Sequence, residues 1–298
     1  MTAAVHEAPR SWRDAFSREE VEALVSTNNW RCWCSVALNW GVVAAAMAVV
    51  ARWPNVITIV LAIALIGARQ YGLAVLMHEA AHGKLFRNRA LNDWLGDWLC
   101  AAPIWFDYCS YRNGHLEHHA KTETGEAPKR RIAKKSSAAR RSLLRNFWRD
   151  LSGRTAWKRV RSARSGWRDL ERVAVTNLVL FGSLLALGQP ALYLLWVLAW
   201  CTVYGLVNRI HSIANHATWT VATDELQNTR TTLANAWERL FVAPNRVNYH
   251  LEHHLLTTAP LYNLPIFHRM LRERGVVDGS HLTRGYVTAL REAAAKSS

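Results

Sequence analysis

The sequence predicts an all-α membrane protein: four transmembrane helices, further helices at the interface, and a cytoplasmic helical cap holding a two-metal site. Three observations predict it. Four long apolar stretches are separated by polar ones. Most of the +15 net charge is gathered in one loop. Eight of the 13 histidines fall in three tight clusters.

A mean hydropathy of −0.07 looks soluble, but apolar and strongly basic stretches cancel in that average. Residues 1–34 are charged and read as a cytoplasmic N-terminal segment. The first apolar run begins near Ser35, so it is expected to be a membrane segment and not a removed signal peptide. The four apolar stretches are Ser35–Ala51, Val56–Met77, Ala174–Gly188 and Ala191–Val207. Each is near the roughly 20 residues that span a bilayer, the first and third being short. The rival reading, buried core helices of a soluble protein, is opposed by the tryptophans. Trp30, Trp33 and Trp53 bracket the first stretch, Trp196 and Trp200 lie in the last, and Trp concentrates at membrane interfaces. The segment Leu91–Phe106 carries Trp94, Trp98 and Trp105 with Asp93, Asp97 and Pro103. It is too polar and interrupted to span, and is expected to lie in the interface.

Between Lys121 and Arg172 stand 17 Lys and Arg against five Asp and Glu. The excess of Lys and Arg predicts that this basic loop, residues 120–172, is cytoplasmic. Four crossings then put both termini on the same side, with Arg52–Asn55 and Gly188–Pro190 as short outer turns. The basic residues would meet anionic lipids, with Trp148, Trp157 and Trp167 in the headgroup layer. A nucleic-acid surface is excluded by the loop's place between membrane segments. The loop is also suited to docking an acidic electron donor such as a ferredoxin. The membrane domain is drawn at 35–270 and a cytoplasmic tail at 271–298. Five scattered cysteines fit no zinc or disulfide framework and read as reduced packing residues. Nothing in the chain indicates an oligomeric state.

The histidine clusters are His78-Glu-Ala-Ala-His82, His115-Leu-Glu-His118-His119 and His250-Leu-Glu-His253-His254. Offsets of three and four put the imidazoles of each cluster on one helix face, and imidazole is the commonest protein ligand for transition metals. Eight such ligands exceed the needs of one ion, so two are inferred. All three clusters fall on the cytoplasmic side. His216, past the fourth stretch, is the best ninth candidate. His211 lies five residues earlier, an offset that does not favour the same face. His6, His268 and His281 read as ordinary residues. Glu79, Glu117 and Glu252 adjoin the candidate ligands, and either orient imidazoles by hydrogen bonding or face solvent. An all-nitrogen shell does not name the metal, since zinc and copper also take imidazole.

The order of the clusters resembles that of the membrane fatty acid desaturases and their hydroxylase relatives. The flanking text is similar too: His78-Glu-Ala-Ala-His82-Gly83, and Asn248-Tyr-His250-Leu-Glu-His253-His254-Leu255 followed by Pro260 and Leu264-Pro265. The resemblance covers roughly residues 35–270. It implies a non-haem di-iron centre that activates O2 to take hydrogen from an unactivated C–H bond. The implied ligands are His78, His82, His115, His118, His119, His216, His250, His253 and His254, with no catalytic residue beyond them. Some relatives carry an Asn one turn before the isolated ligand histidine, where this chain has Ser212. Front-end desaturases begin the third cluster with Gln, where this chain has His250. No fused cytochrome b5 signature (His-Pro-Gly-Gly) occurs. A separate donor, ferredoxin-like or cytochrome b5-like, is therefore expected with its reductase.

The expected reaction is desaturation of an acyl chain or related lipid. Hydroxylation of a lipid or small apolar metabolite is the alternative. The compact His-x-x-His-His second cluster leans towards desaturation. His78-Glu79-x-x-His82 also fits the zinc protease motif, but that reading leaves two clusters unexplained. A metal transporter would place ligands nearer the membrane midplane.

Overall fold

The structure is a computed structural model that describes residues 11–123, 140–162, 167–216, 226, 229–278 and 282–295; the side chains of 118–123, 140, 162, 167–169 and 216 lie outside that description. Apart from two three-residue strands, the regular elements among the described residues are helical. Helix α1 (Arg18–Val25) starts at a capping box in which Ser17 and Glu20 satisfy each other's backbone N–H. Asn28 caps α2 (Asn29–Arg52), and Asn55 caps α3 (Val56–Ala81) with Thr58. The turn between α2 and α3 spans Trp53–Asn55, so these two helices form a hairpin.

Among the described residues, three helical stretches are long and apolar enough to cross a membrane: Arg18–Arg52, Val56–Ala81 and Pro190–Asn215. The expected crossing at Ala174–Gly188 falls in α8 (Trp167–Ala186), which is not one of them. Asp169, Glu171 and Arg172 occupy its first turns, and the apolar remainder is shorter than the roughly 20 residues of a full span. The last expected crossing is two helices, α9 (Tyr193–Cys201) and α10 (Val203–His216). They meet at Thr202, whose hydroxyl donates back to the Leu198 carbonyl at 2.6 Å. Such back-bonding locally bends helices.

Helix α3 is the hub. Of its apolar window 61% is buried inside the protein, against 33% for α2. Helices α2, α9 and α10 all pack on it. Gly67 lets α10 approach closely, since a Cβ there would stand 2.5 Å from Val203 Cβ. Without a hydrophobic force between helices in lipid, such small-residue contacts carry the packing. Gly67→Leu is expected to destabilise by about 2 kcal/mol or more through overpacking. Thermal melting in detergent measures it, and an unchanged midpoint would refute the close crossing.

The segment after α3 is broken into α4 (Arg89–Leu95), a π-helical turn (Gly96–Ala101) and a 3-10 turn (Ala102–Ile104). A broken helix leaves carbonyls without intrahelical donors. Here three indoles supply them. Trp40 Nε1 donates to Leu99, Trp196 Nε1 to Pro103 and Trp200 Nε1 to Ile104, at 3.2, 3.3 and 2.8 Å. Trp196 and Trp200 are therefore core residues, not the interface anchors the sequence suggested. The segment packs against α3, burying Cys100, Ala101 and Ile104, while Trp94 and Trp105 remain exposed.

Helix α5 (Tyr108–Glu123) follows. Helices α6 (Arg140–Leu151) and α7 (Arg154–Ser162) belong to the basic stretch. Buried Asp150 of α6 ties it to α10 through both an Nε and an Nη of Arg209, and Thr155 donates to the same carboxylate.

The C-terminal region covers the end of α3. Strand β1 (Thr231–Leu233) pairs in parallel with β2 (Leu282–Arg284), a ladder too short to leave a period-2 signature. Between them lie α11 (Ala236–Phe241), a 3-10 turn at Pro244–Arg246, α12 (His250–Leu255) and α13 (Leu264–Glu273). Helix α14 (Tyr286–Ala295) packs on α10. The N-terminal residues Trp12 and Phe16 form an edge-on aromatic cluster with Phe267 of α13. Arg274 closes it with an ion pair to Glu20. None of the five cysteines forms a disulfide, and Cys34 and Cys109 are exposed, so those two are not packing residues.

Candidate metal centre

Helix α3 ends where the histidines begin. Gly83, at φ +70°, stops it. Its N–H bonds the Ala80 carbonyl and the Lys84 N–H bonds that of Glu79, a Schellman ending. His78 and His82 thus occupy the last turn and its cap, one above the other. Helix α5 brings His115 to them. It is anchored by Tyr108 and Arg112, both bonded to Asp93 of α4. Helix α12 brings His250, His253 and His254.

One nitrogen from each of His78, His82, His115 and His253 lies within 4.8 Å of the others. His82 Nε2 and His115 Nε2 are 2.9 Å apart. The His78 ring centroid stands 4.4 Å from that of His115 and 4.6 Å from that of His253. On α12, His250 Nε2 and His254 Nε2 are 3.1 Å apart. His253 lies between the two sets, with its ring 5.1 Å from His82 and 5.8 Å from His254.

These separations test the fit to a metal. Imidazole–metal bonds are ~2.0–2.1 Å, so two ligands at right angles on one ion stand ~3 Å apart, and opposite ligands ~4 Å. The nitrogen pairs match the first distance, and the four-residue set is close to the second. The donors are all imidazoles, and the residues present fit one ion at the four-residue set, with a second pair adjoining it. Among the nine candidate ligands, the side chains of His118, His119 and His216 lie outside the described residues.

His78, His115, His250, His253 and His254 open on a cavity of about 410 Å³. Its other walls are largely apolar or aromatic, including Val75, Phe106, Tyr204, Leu261 and Leu264. Tyr111 of the wall stacks on His115 at 5.4 Å. Burial pushes the Tyr111 phenol well above its usual range, so it remains neutral.

His211 also lines this cavity, with its ring 5.6 Å from that of His250. The Asn215 amide donates to its Nε2 at 2.6 Å, so its Nδ1 carries the proton toward the Tyr286 hydroxyl at 3.2 Å. Burial raises the Tyr286 phenol as well, which keeps that hydroxyl protonated. Both ring nitrogens are engaged, which makes His211 a wall of the cavity. Its spacing from His216 gave no hint of this.

The three carboxylates diverge. Glu252 is fully buried and bonds His268 Nδ1 at 2.5 Å and the Thr231 hydroxyl. Its imidazole partner is thus His268 and not a candidate ligand. His268, read from sequence as ordinary, holds α12 to α13 through this contact. Its signal was available: with Leu264, Phe267 and Leu271 it shares the buried face of α13. Glu79 lines a different cavity, beside Cys32 and Tyr262, rather than the one the histidines open on. A protease general base would face the metal, so this placement tells against the protease motif. Glu117 and Ser212 are exposed on α5 and α10. Ser212 therefore does not support the cavity wall; Asn208 and His211 of the same helix line it instead.

The family description "Fatty acid desaturase" matches residues 51–284. A dihydrorhizobitoxine desaturase of Bradyrhizobium elkanii is 26% identical over 228 residues, covering 68% of this chain and 65% of the relative. An sn-1 oleoyl-lipid 12-desaturase of Arthrospira platensis is 24% identical, covering 66% of this chain and 64% of the relative. A shorter match, 44% identical over 59 residues, covers 19% of this chain and 18% of a beta-carotene 4-ketolase of Haematococcus lacustris. The chain spans less than two thirds of the length of each of these relatives.

Proposed function

The chain belongs to the fatty acid desaturase family, and on that premise we propose that it is a membrane-bound non-haem di-iron oxidoreductase that desaturates an acyl chain or related lipid. The observation that carries this reading is the cluster of His78, His82, His115 and His253 at the end of a largely apolar cavity. That donor set would hold one ion, and His250 and His254 belong with the second. When bound, the iron pair supplies an oxidant made from O2 and two electrons, strong enough to take hydrogen from an alkyl C–H bond. The protein supplies position and dryness. Val75, Phe106, Leu261 and Leu264 receive an aliphatic chain and exclude water, and the neutral phenol of Tyr111 closes the wall beside His115.

In this reading α8 is a crossing in its own right, beside α2, α3 and the α9–α10 stretch, which makes four. The histidines, the basic stretch and both termini then share the cytoplasmic side, where a separate electron donor docks. The donor is ferredoxin-like or cytochrome b5-like and works with its reductase.

A second reading, oxygen insertion on the same scaffold, is favoured by one observation: the ketolase relative is the more identical, although over a short stretch. The two are separated by expressing the protein with a donor system and examining lipids and metabolites by mass spectrometry. Loss of two hydrogens from a product is expected. Gain of one oxygen would replace desaturation by hydroxylation. A zinc content of one per chain, without iron, would end both.

A further inference from the structure

A second cavity, of about 280 Å³, lies on the other flank of α3. Among the described residues, only Leu261 lines both it and the histidine cavity. Four cations face into its lining: Arg69, Lys84, Arg239 and Arg246. Among the described residues, Glu79 is the one carboxylate there.

Arg69 is the least expected of the four. It interrupts the apolar run of α3 and is 3% exposed. An ionisable residue within a spanning helix carries a desolvation cost and points to a function. Its Nη2 bonds the Leu240 and Arg239 carbonyls, which is a cation on the negative end of α11. Its Nε is buried with no partner among the described residues. Arg239 and Arg246 are exposed, and neither has a carboxylate partner among the described residues.

The turn that holds Arg246 is strained. Asn245 and Arg246 both have positive φ, 54° and 64°, a conformation that is costly for residues other than glycine. The strain is held by Asn245, which accepts from Asn39 of α2 at 3.0 Å and donates to the Gly72 carbonyl of α3 at 2.8 Å. Two helices thus clamp the turn that brings Arg246 to the cavity.

We propose that this cavity binds the phosphate of an anionic membrane lipid, with Arg69, Arg239 and Arg246 as its donors. Guanidinium groups match phosphate oxygens in charge and geometry, and basic pockets between membrane helices recognise lipid headgroups. Two features name a lipid as the source of the phosphate and not a free anion. Leu38 of α2, in the lining, is 57% exposed and offers an apolar track for an acyl chain. Trp237 of α11 is 72% exposed beside Arg239, the placement of an interfacial anchor.

The test is native mass spectrometry of the purified full chain with equal amounts of phosphatidylglycerol and phosphatidylcholine. The wild type is expected to retain phosphatidylglycerol preferentially. R239Q/R246Q should weaken that retention by roughly thirtyfold, from about 1 kcal/mol per cation. Phosphatidylcholine binding and metal content should not change. Both residues are exposed, so the double variant keeps the fold, and an unaltered melting temperature verifies it. The single variants, each losing part of the preference, give an independent reading. Equal retention of the two lipids, or undiminished preference in the double variant, would overturn the proposal. Displacement of the lipid by millimolar inorganic phosphate would assign the cavity to a soluble anion and overturn it equally.

Discussion

His253→Ala is expected to lose more than about a hundredfold in turnover, together with bound iron, while the protein still inserts and accumulates. The magnitude is set from below: losing a group that merely orients a ligand costs ~10–100-fold in metal affinity or activity, and losing a ligand costs more. Position makes His253 the most sensitive of the described histidines. It completes the set with His78, His82 and His115, and its ring is also 5.8 Å from His254 and 6.2 Å from His250. One substitution therefore disturbs both nitrogen sets. Folding should tolerate it, because the hydrophobic contacts of α12 come from Leu251 and Leu255, which stay. Metal analysis and activity are to be measured on the same preparation. Full activity with wild-type iron would defeat the two-ion reading. His211→Ala is the contrast: a wall residue whose nitrogens are engaged by Asn215 and Tyr286 should lose activity partially and retain iron.

The histidine spacing was legible because it is local. Offsets of three and four on a helix determine a shared face before any tertiary contact forms. That His115 and His253 meet the end of α3, 33 residues or more away in sequence, is a property of packing and leaves no periodicity. The tryptophans mislead for a related reason. Composition reveals an amphipathic ring but not its partner, and the partners of Trp196 and Trp200 are carbonyls freed by an irregular turn nearly 100 residues earlier. Arg69-Gln70 was legible as a polar break in an apolar run, and so was His268 on the apolar face of α13. Each signals a buried polar group that must be satisfied. Neither says by what: Gln70 donates to the Trp196 carbonyl, and His268 meets Glu252. The third apolar stretch, which starts at Ala174, falls in a helix that begins at Trp167 with charged turns, so that helix is not among the described ones long and apolar enough to cross a membrane.

Glu252→Ala should destabilise the protein by roughly 2–4 kcal/mol, because it strands two buried partners, the His268 ring and the Thr231 hydroxyl, without an acceptor. The same substitution should lower metal occupancy about 10–100-fold. The two effects have one origin. Glu252 stands between His250 and His253 on α12 and fastens that helix to α13 on one side and to β1 on the other. Loosening it lets three imidazoles drift from positions that metal binding needs within a fraction of an ångström. Glu252→Gln retains the shape and an acceptor for Thr231, and its amide can donate to His268 in the other tautomer, so it should recover much of both losses. Melting temperature and metal content of the two variants provide the reading, and wild-type values for Glu252→Ala would sink it. His268→Ala then separates the routes. If the double variant loses no more than Glu252→Ala alone, the carboxylate acts through His268. If the losses add, Thr231 and the β1 attachment carry the helix, and the strand ladder is part of the metal site's support.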